Sequence, residues 1–226
     1  MEDPLDADRE AAVKELRDTH KGETCLVVGN GPSLKKIPKD FLKKYPTFGT
    51  NRCYLWFTPT YYAAVNPLVV EQYLGDILQL DVEEMFLPAS LQIAGGSIHY
   101  LKSIYGPPFF SLDASEGIHE GWTVTYVCLQ LAYFMGFSTV LLVGVDHRYE
   151  YQGMPNEEQL AVGPDPNHFD PAYFTGGVKW NLPDLEMSEV SYRLARTAYE
   201  KDGRRIVNLT PGTALGVFEK QSWRKW

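Results

Sequence analysis

The segment Cys25–Leu34 constrains the fold of this chain more than any other stretch. Its first four residues are apolar, a pattern typical of a strand buried on both faces, as in a parallel sheet. The turn that follows consists of Gly29, Asn30 and Gly31, where glycine permits a ligand to approach the backbone closely. Pro32 then favours a helix that begins at Ser33. This order predicts a nucleotide phosphate site in an open α/β sheet, although the same residues also fit a tight turn without a ligand.

The rest of the chain alternates predicted strands with predicted helices. We expect strands over residues 47–51, 60–67, 85–87, 139–146 and 205–209, and helices over residues 8–20, 38–45, 68–80, 123–135 and 186–202. This alternation predicts an open, mainly parallel, Rossmann-like α/β sheet in one domain, residues 23–215. An N-terminal helix in residues 1–22 precedes the domain, and a C-terminal tail, residues 216–226, follows it. Residues 147–183 lack periodicity and predict a long lid loop.

Polar residues recur where the predicted strands end. They are Asn30, Asn51, Asn66, Asp146 and Asn208. In open α/β sheets the ligand crevice lies beyond the carboxyl ends of the strands, so these side chains should share one crevice. Amides offer donors and acceptors together, which suits a ribose, a base edge or a sugar. The alternative is that Asn and Asp end the strands by forming local turns.

The lid contains the residues best suited to chemistry. His168 is the candidate base, because an imidazole accepts a proton near neutral pH; a histidine bonded only within its own loop is the alternative. His147 is the second candidate. The phosphate candidates are Arg148, Tyr149 and Tyr151. The candidates for an acceptor pocket are His147, Tyr173, Lys179 and Trp180, of which Trp180 also fits ordinary lid packing.

Composition narrows the class of protein. The 226 residues carry a formal charge of -8 and no basic tract stands out, so we expect no nucleic-acid partner. Cys25, Cys53 and Cys128 lie in apolar runs, which favours reduced core thiols in the cytoplasm. We expect no secretory signal and no transmembrane segment. The basic, aromatic segment Trp223–Trp226 fits either peripheral membrane contact or packing of the tail.

The histidines give no indication of a metal site. The five are scattered and no two have metal-ligand spacing, so we predict no metal site and no required cofactor. A Mg²⁺ ion held by the phosphates of a substrate would leave little trace in the sequence, and that alternative stays open. A homo-oligomer is compatible with the sequence, which does not specify the oligomeric state.

Three ordered motifs resemble those of the bacterial family 42 sialyltransferases. They are Gly29–Leu34, Phe48–Arg52 and Tyr62–Pro67, which match a Gly-Asn-Gly-Pro-Ser-Leu turn, a strand that ends in Asn, and a later Asn-Pro. Over residues 25–215 the chain is more similar to the MptE-like proteins of bacterial surface-polysaccharide loci. The shared segments there are Thr123–Tyr126, Gly144–His147, Asn167–Phe169 and Lys179–Pro183.

The resemblance implies a glycosyltransferase with a variant of the GT-A fold. It implies transfer of a sugar from a CMP-linked donor to a cell-surface glycan acceptor, with His168 as the base that deprotonates the acceptor hydroxyl. The residues assigned to the nucleotide and its sugar are Gly29, Asn30, Gly31, Pro32, Ser33, Asn51, Asn66, Thr123 and Asp146. A phosphate-contacting tyrosine of the sialyltransferases falls at Arg148, with Tyr149 one residue later.

Two alternatives to a glycosyltransferase follow from the same motifs. MptE-like proteins include archaeal pterin diphosphokinases, which would require Mg²⁺; their His- and Asp-rich metal-binding segment has no counterpart in this chain. A non-catalytic protein that binds a nucleotide or a sugar would need the crevice but not the base in the lid.

Overall fold

The structure, a computed structural model, describes residues 13–91, 98–174 and 176–226. The described elements are β1 (Thr24–Val28), α1 (Lys39–Leu42), β2 (Thr47–Thr50), β3 (Tyr61–Ala63), α2 (Pro67–Ile77), β4 (Glu84–Pro88), β5 (Ile98–Leu101), α3 (Val124–Phe134), β6 (Thr139–Val143), β7 (Glu158–Leu160), β8 (Lys179–Asn181), α4 (Leu185–Lys201), β9 (Arg205–Asn208) and β10 (Glu219–Lys220). Short 3-10 helices lie at Pro32–Lys36, Cys53–Leu55 and Trp223–Lys225.

Eight strands form one sheet in the order β10-β9-β6-β1-β2-β3-β4-β5. Every pair of neighbours is parallel, which confirms the predicted open, mainly parallel α/β sheet. Strand β1 is central, with Val28 opposite Gly49 of β2 and Val143 of β6. From β1 the chain builds outward to β5, and then returns to the other side of β1 with β6. A ligand crevice is expected at this reversal, beyond the carboxyl ends of β1 and β6.

The apolar run of β1 is buried on both faces, as the sequence predicts. Cys25 and Val27 pack in the hydrophobic cluster under α3 and α4, whereas Leu26 and Val28 pack in the cluster under α1 and the lid. Strand β6 repeats this alternation. Because successive side chains of a strand point to opposite faces, four consecutive apolar residues can serve two core layers at once. The two central strands therefore hold their carboxyl ends in fixed positions.

The predicted N-terminal helix is wrong over residues 15–22, which form turns. Asp18 has a left-handed φ of 56°, and its backbone N–H donates to the carbonyl of Phe134. The N–H groups of His20 and Gly22 likewise donate to backbone carbonyls just beyond α3. These contacts replace the bonds that a helix would make within itself. Residues 1–12 of the predicted helix lie outside the described residues.

Two segments have more regular structure than the sequence indicates. The lid contains a two-stranded antiparallel hairpin, in which Gln159 of β7 lies opposite Trp180 of β8. The segment 216–226, predicted as a tail, contributes β10 to the main sheet beside β9. Within the described residues, no helix is long and apolar enough to span a membrane.

Candidate functional site

A cleft of about 650 Å³ lies beyond the carboxyl ends of β1, β2, β3 and β6. Twelve of the residues predicted from the sequence line it: Gly29, Asn30, Gly31, Asn51, Asn66, Thr123, Asp146, His147, Arg148, Tyr149, His168 and Trp180. Four of the five strand-end residues therefore meet the lid around one space, whereas Asn208 is buried, accepts a hydrogen bond from the backbone N–H of Thr210 and does not line the cleft. The predicted residues Pro32, Ser33, Tyr151, Tyr173 and Lys179 do not line it.

Two glycine-containing turns pack against each other on the floor of the cleft. A Cβ atom added to Gly29 would lie 2.6 Å from the carbonyl oxygen of Gly144. Gly144 itself has φ 67°, and a Cβ there would collide with the carbonyl oxygen of Gly29. A Cβ at Gly31 would collide with the carboxylate of Asp146. These glycines are needed for the approach of β1 to β6, whether or not a ligand is bound.

Asp146 is held in the cleft by Ser33. The Ser33 hydroxyl donates to Oδ2 of Asp146 at 2.6 Å, and the Ser33 backbone N–H donates to Oδ1 at 3.2 Å. Burial raises the pKa of Asp146 above its ordinary value of 3.8, while the Ser33 bonds and the charges of Lys36 and Arg148 act in the opposite direction. Ser33 was predicted to contact the nucleotide, but its hydroxyl is committed to positioning Asp146.

Asn30 and Asn51 each leave one acceptor atom without a partner. The amide NH₂ of Asn30 donates to the carbonyl and the hydroxyl of Thr50, both at 3.0 Å, which fixes the orientation of the amide. Among the described residues, no group donates to the buried Oδ1 atoms of Asn30 and Asn51. A buried acceptor without a partner is costly, so each Oδ1 atom would be stabilised by a donor that reached it.

Asn66 and Thr123 have local roles. Asn66 caps α2 by accepting a hydrogen bond from the backbone N–H of Leu68 at 2.9 Å. Its NH₂ group donates to Oδ1 of Asn181, which connects the end of β3 to the lid hairpin. Thr123 caps α3. Both side chains line the cleft, yet their local bonds leave them fewer free atoms than Asn30 and Asn51.

His168 is paired with a carboxylate that the sequence analysis missed. Its Nδ1 atom lies 2.7 Å from Oδ2 of Asp165, and the two side chains are 10% and 6% exposed. An ionised carboxylate only accepts, so this contact favours the tautomer of the neutral imidazole in which Nδ1 carries the proton and Nε2 the lone pair. The imidazole also stacks on Tyr173, with ring centroids 3.9 Å apart. Asp165 precedes His168 by three residues, and that spacing is the signal that could have identified it.

Tyr173 is a support for the lid and not an acceptor contact. Its hydroxyl accepts a hydrogen bond from the backbone N–H of Arg52 at 3.0 Å, and its ring is fully buried. The Arg52 guanidinium donates to the carbonyls of Ala172 and Tyr173 and lies over the ring of Tyr73. Because the backbone N–H of Phe169 also donates to the carbonyl of Asn30, the lid is anchored to the turn after β1.

The remaining lid candidates separate into two groups. Tyr151 donates to the carbonyl of Pro183, and Lys179 forms an ion pair with Glu158 across the hairpin, so neither reaches the cleft. Arg148 is exposed and lines the cleft, and it is the one positively charged residue among the three phosphate candidates. Tyr149 also lines the cleft, and burial raises the pKa of its phenol.

Unusual backbone geometry is concentrated at the cleft. Five non-glycine residues within the described ranges have a left-handed φ, and four of them line the cleft: Asn51, Trp122, His147 and Asn156. Such conformations cost about 1–3 kcal/mol each and persist at sites where the surrounding structure imposes them. Trp122 was not identified as a site residue from the sequence. Its position between Gly121 and the helix cap Thr123 was the available signal.

His147 provides a test of the electrostatics of the cleft. Its Nε2 atom lies 3.4 Å from Oε1 of Glu189, and its ring contacts Tyr192. Burial lowers the pKa of His147 below its ordinary value of 6.5, although Glu189 opposes the shift. Just below pH 6.5 the unfolded chain therefore binds more protons at this residue than the folded protein does, so folding stability falls as the pH falls.

We expect the His147→Asn variant to lose this part of the pH dependence. Asparagine tolerates the left-handed φ of 53° at this position, so the comparison isolates the imidazole. Thermal unfolding of both proteins from neutral pH to below 6.5 measures the effect. The melting temperature of the wild type should decrease more steeply with acid than that of the variant. Parallel curves would show that His147 titrates normally.

Neither a metal-binding cluster among the described residues nor a known relative indicates what the cleft binds. Within the described part of the chain, no group of three or more His, Cys, Asp or Glu side chains is arranged to hold a metal ion. Comparison with protein-family models and with curated proteins finds no match for this chain. The geometry of the cleft therefore carries the proposal for the function of the protein.

Proposed function

We propose that the protein is a glycosyltransferase that acts in the cytoplasm. It would move a sugar from a nucleotide-activated donor of the CMP-linked type to a cell-surface glycan acceptor. The observation that carries the proposal is the Asp165–His168 pair, which lies at the same cleft as the unpaired acceptor atoms of Asn30 and Asn51. This arrangement supports the proposal because it would bring a base and a set of amides suited to a nucleotide sugar together at the reversal of strand order.

The chemistry requires no nucleophile from the protein. The acceptor hydroxyl would give its proton to Nε2 of His168 while its oxygen attacks the anomeric carbon of the donor sugar. The bond between that carbon and the phosphate oxygen breaks, and its electron pair leaves with the nucleotide. Asp165 would accept the Nδ1–H bond throughout and stabilise the imidazolium that forms. Arg148 would offset charge on the departing phosphate.

The donor would lie along the carboxyl ends of β1 and β2. The glycine-containing turn at Gly29–Gly31 supports this placement because it lets a phosphate or ribose approach the backbone. Oδ1 of Asn30 and Oδ1 of Asn51 would accept hydrogen bonds from hydroxyl or amino groups of the nucleotide sugar. Each satisfied bond contributes about 0.5–1.5 kcal/mol to binding.

A Mg²⁺-dependent diphosphokinase is the second candidate, and Asp146 is the observation that favours it. Its carboxylate lines the cleft directly beside the glycine turn of β1, where a cation bound to substrate phosphates would meet an oxygen ligand. Such an enzyme would act on a pterin-like ring with ATP as the diphosphate donor. It would depend on the metal, whereas the glycosyltransferase would not.

Incubation with CMP-linked sugars and a set of glycan acceptors, in Mg²⁺ or in EDTA, tests the proposal. We expect release of CMP and a glycosylated acceptor in both media, detected by mass spectrometry. In a parallel incubation with ATP and a pterin-like substrate, formation of AMP in Mg²⁺ but not in EDTA would favour the diphosphokinase. Binding of CMP with no turnover of any donor would instead indicate a non-catalytic binding protein.

A further inference from the structure

Two basic segments that are far apart in the sequence lie together in the structure. Residues 32–45 include the first 3-10 helix and α1, and residues 220–226 end the chain. The rings of Phe41 and Trp223 are 5.7 Å apart, and the hydroxyl of Tyr45 lies 3.5 Å from the carbonyl of Trp226. Both segments pack on the same hydrophobic cluster. We call their joint surface the basic aromatic face.

The charge of this face is opposite to that of the whole chain. It contains eight of the 21 lysines and arginines: Lys35, Lys36, Lys39, Lys43, Lys44, Lys220, Arg224 and Lys225. Only one of the chain's 29 aspartates and glutamates, Asp40, belongs to it. All eight cationic residues are exposed, in a chain with a formal charge of -8. Such segregation creates a local positive potential that attracts an anionic surface.

Aromatic side chains lie among these cations. Tyr45, Trp223 and Trp226 are each partly exposed, and the Arg224 guanidinium lies 4.6 Å from the ring centre of Trp223. Tryptophan and tyrosine next to lysine and arginine are the combination that prefers the headgroup region of a bilayer. A soluble polysaccharide polyanion would need the cations but would gain little from the aromatic rings, whereas single-stranded RNA could stack on them, so both are outcomes of the test below.

We propose that the basic aromatic face docks the protein on a bilayer of anionic phospholipid. The two segments supply charge for the headgroups and aromatic rings for the interface between water and lipid. The first segment begins directly after the turn Gly29–Gly31 in the sequence, whereas Tyr45, two residues before β2, and Trp226, which contacts Arg205 at the start of β9, lie toward the amino ends of the strands. This binding does not depend on the proposed transfer reaction.

Flotation of the protein with lipid vesicles tests the proposal. We expect binding to vesicles that contain phosphatidylserine, none to vesicles of phosphatidylcholine alone, and release from the anionic vesicles at high salt. The triple variant Lys35→Gln, Lys43→Gln, Lys225→Gln should bind on the order of 100-fold more weakly, since each lysine near an anionic surface contributes about fivefold. All three side chains are exposed, so the variant should melt like the wild type.

A matched variant separates the face from the overall charge. Lys21→Gln, Lys102→Gln, Lys201→Gln removes the same charge from three exposed lysines outside the two segments, and it should bind vesicles like the wild type. Equal loss in both variants would overturn the proposal, because only net charge would then matter. Binding of heparin or polyuridylate through the same lysines, with no binding to vesicles, would also overturn it in favour of a soluble polyanion.

Discussion

Replacing His168 by glutamine is expected to lower the rate of sugar transfer by about 10²–10⁴-fold while donor binding is retained. The variant removes the proposed base, a loss of the size typical of general-base catalysis. The proposed donor contacts at Asn30 and Asn51 do not involve His168, so the affinity for the nucleotide should be unchanged. Rates at saturating donor and the dissociation constant of CMP, measured separately, distinguish the two effects.

His20→Gln is the matched control for this variant. His20 also has Nδ1 next to a carboxylate, Oε2 of Glu23 at 3.0 Å, and it stacks on Phe137 with centroids 4.5 Å apart. It does not line the cleft. The variant His20→Gln should therefore lower the stability of the fold, because it loses a similar ion pair and ring stack, but it should keep the rate of sugar transfer. Full activity of His168→Gln would contradict the assignment of His168 as the base, as would an equal loss in both variants.

Replacing Gly144 by alanine is expected to destabilise the fold by about 3 kcal/mol or more. Alanine in a left-handed conformation costs about 1–2 kcal/mol. The added Cβ would also collide with the carbonyl oxygen of Gly29, which is backbone and cannot rotate away. In a domain of this size the loss corresponds to a decrease in melting temperature of about 6–12 °C. The turns of β1 and β6 would move apart, so nucleotide binding should weaken as well.

Gly203→Ala separates conformational strain from collision. Gly203 has φ 69°, close to the 67° of Gly144, but a Cβ there would meet no atom within 4 Å. Its cost should be limited to the left-handed conformation, about 1–2 kcal/mol. Thermal unfolding of both variants gives the comparison. Equal losses would mean that β1 and β6 do not pack as closely as described.

The sequence was most informative where a residue's environment is set by its own strand. The apolar runs of β1 and β6 predicted a buried parallel sheet, because such runs satisfy both faces of a sheet that is covered on each side. The polar residues at the strand ends then had to meet at one edge. Asn30, Asn51 and Asp146 were predicted in this way, and all three line the cleft.

The sequence was least informative where long-range contacts decide the structure. Residues 15–22 have helical composition but form turns, since the backbone N–H groups of Asp18, His20 and Gly22 donate to carbonyls at or just beyond the end of α3. The hydrogen bonds between Ser33 and Asp146 and between Arg52 and Tyr173 each join residues more than 100 positions apart in the sequence. The sequence indicated only the Trp223–Trp226 part of the basic aromatic face, because the segment 32–45 that packs beside it is far away in the chain.

Thermal unfolding with a panel of nucleotides tests the central claim most directly. A ligand that binds only the folded state raises the melting temperature. Among CMP, UMP, UDP, GDP and ATP, we expect CMP to give the largest shift without Mg²⁺. The variant Asn51→Gly tolerates the left-handed φ of 47° and removes the unpaired Oδ1 acceptor, so it should lose most of the rise in melting temperature with CMP. The control Asp18→Gly changes a left-handed residue outside the cleft and should keep that rise. A shift seen only with ATP and Mg²⁺, or no shift with any nucleotide at millimolar concentration, would contradict the account.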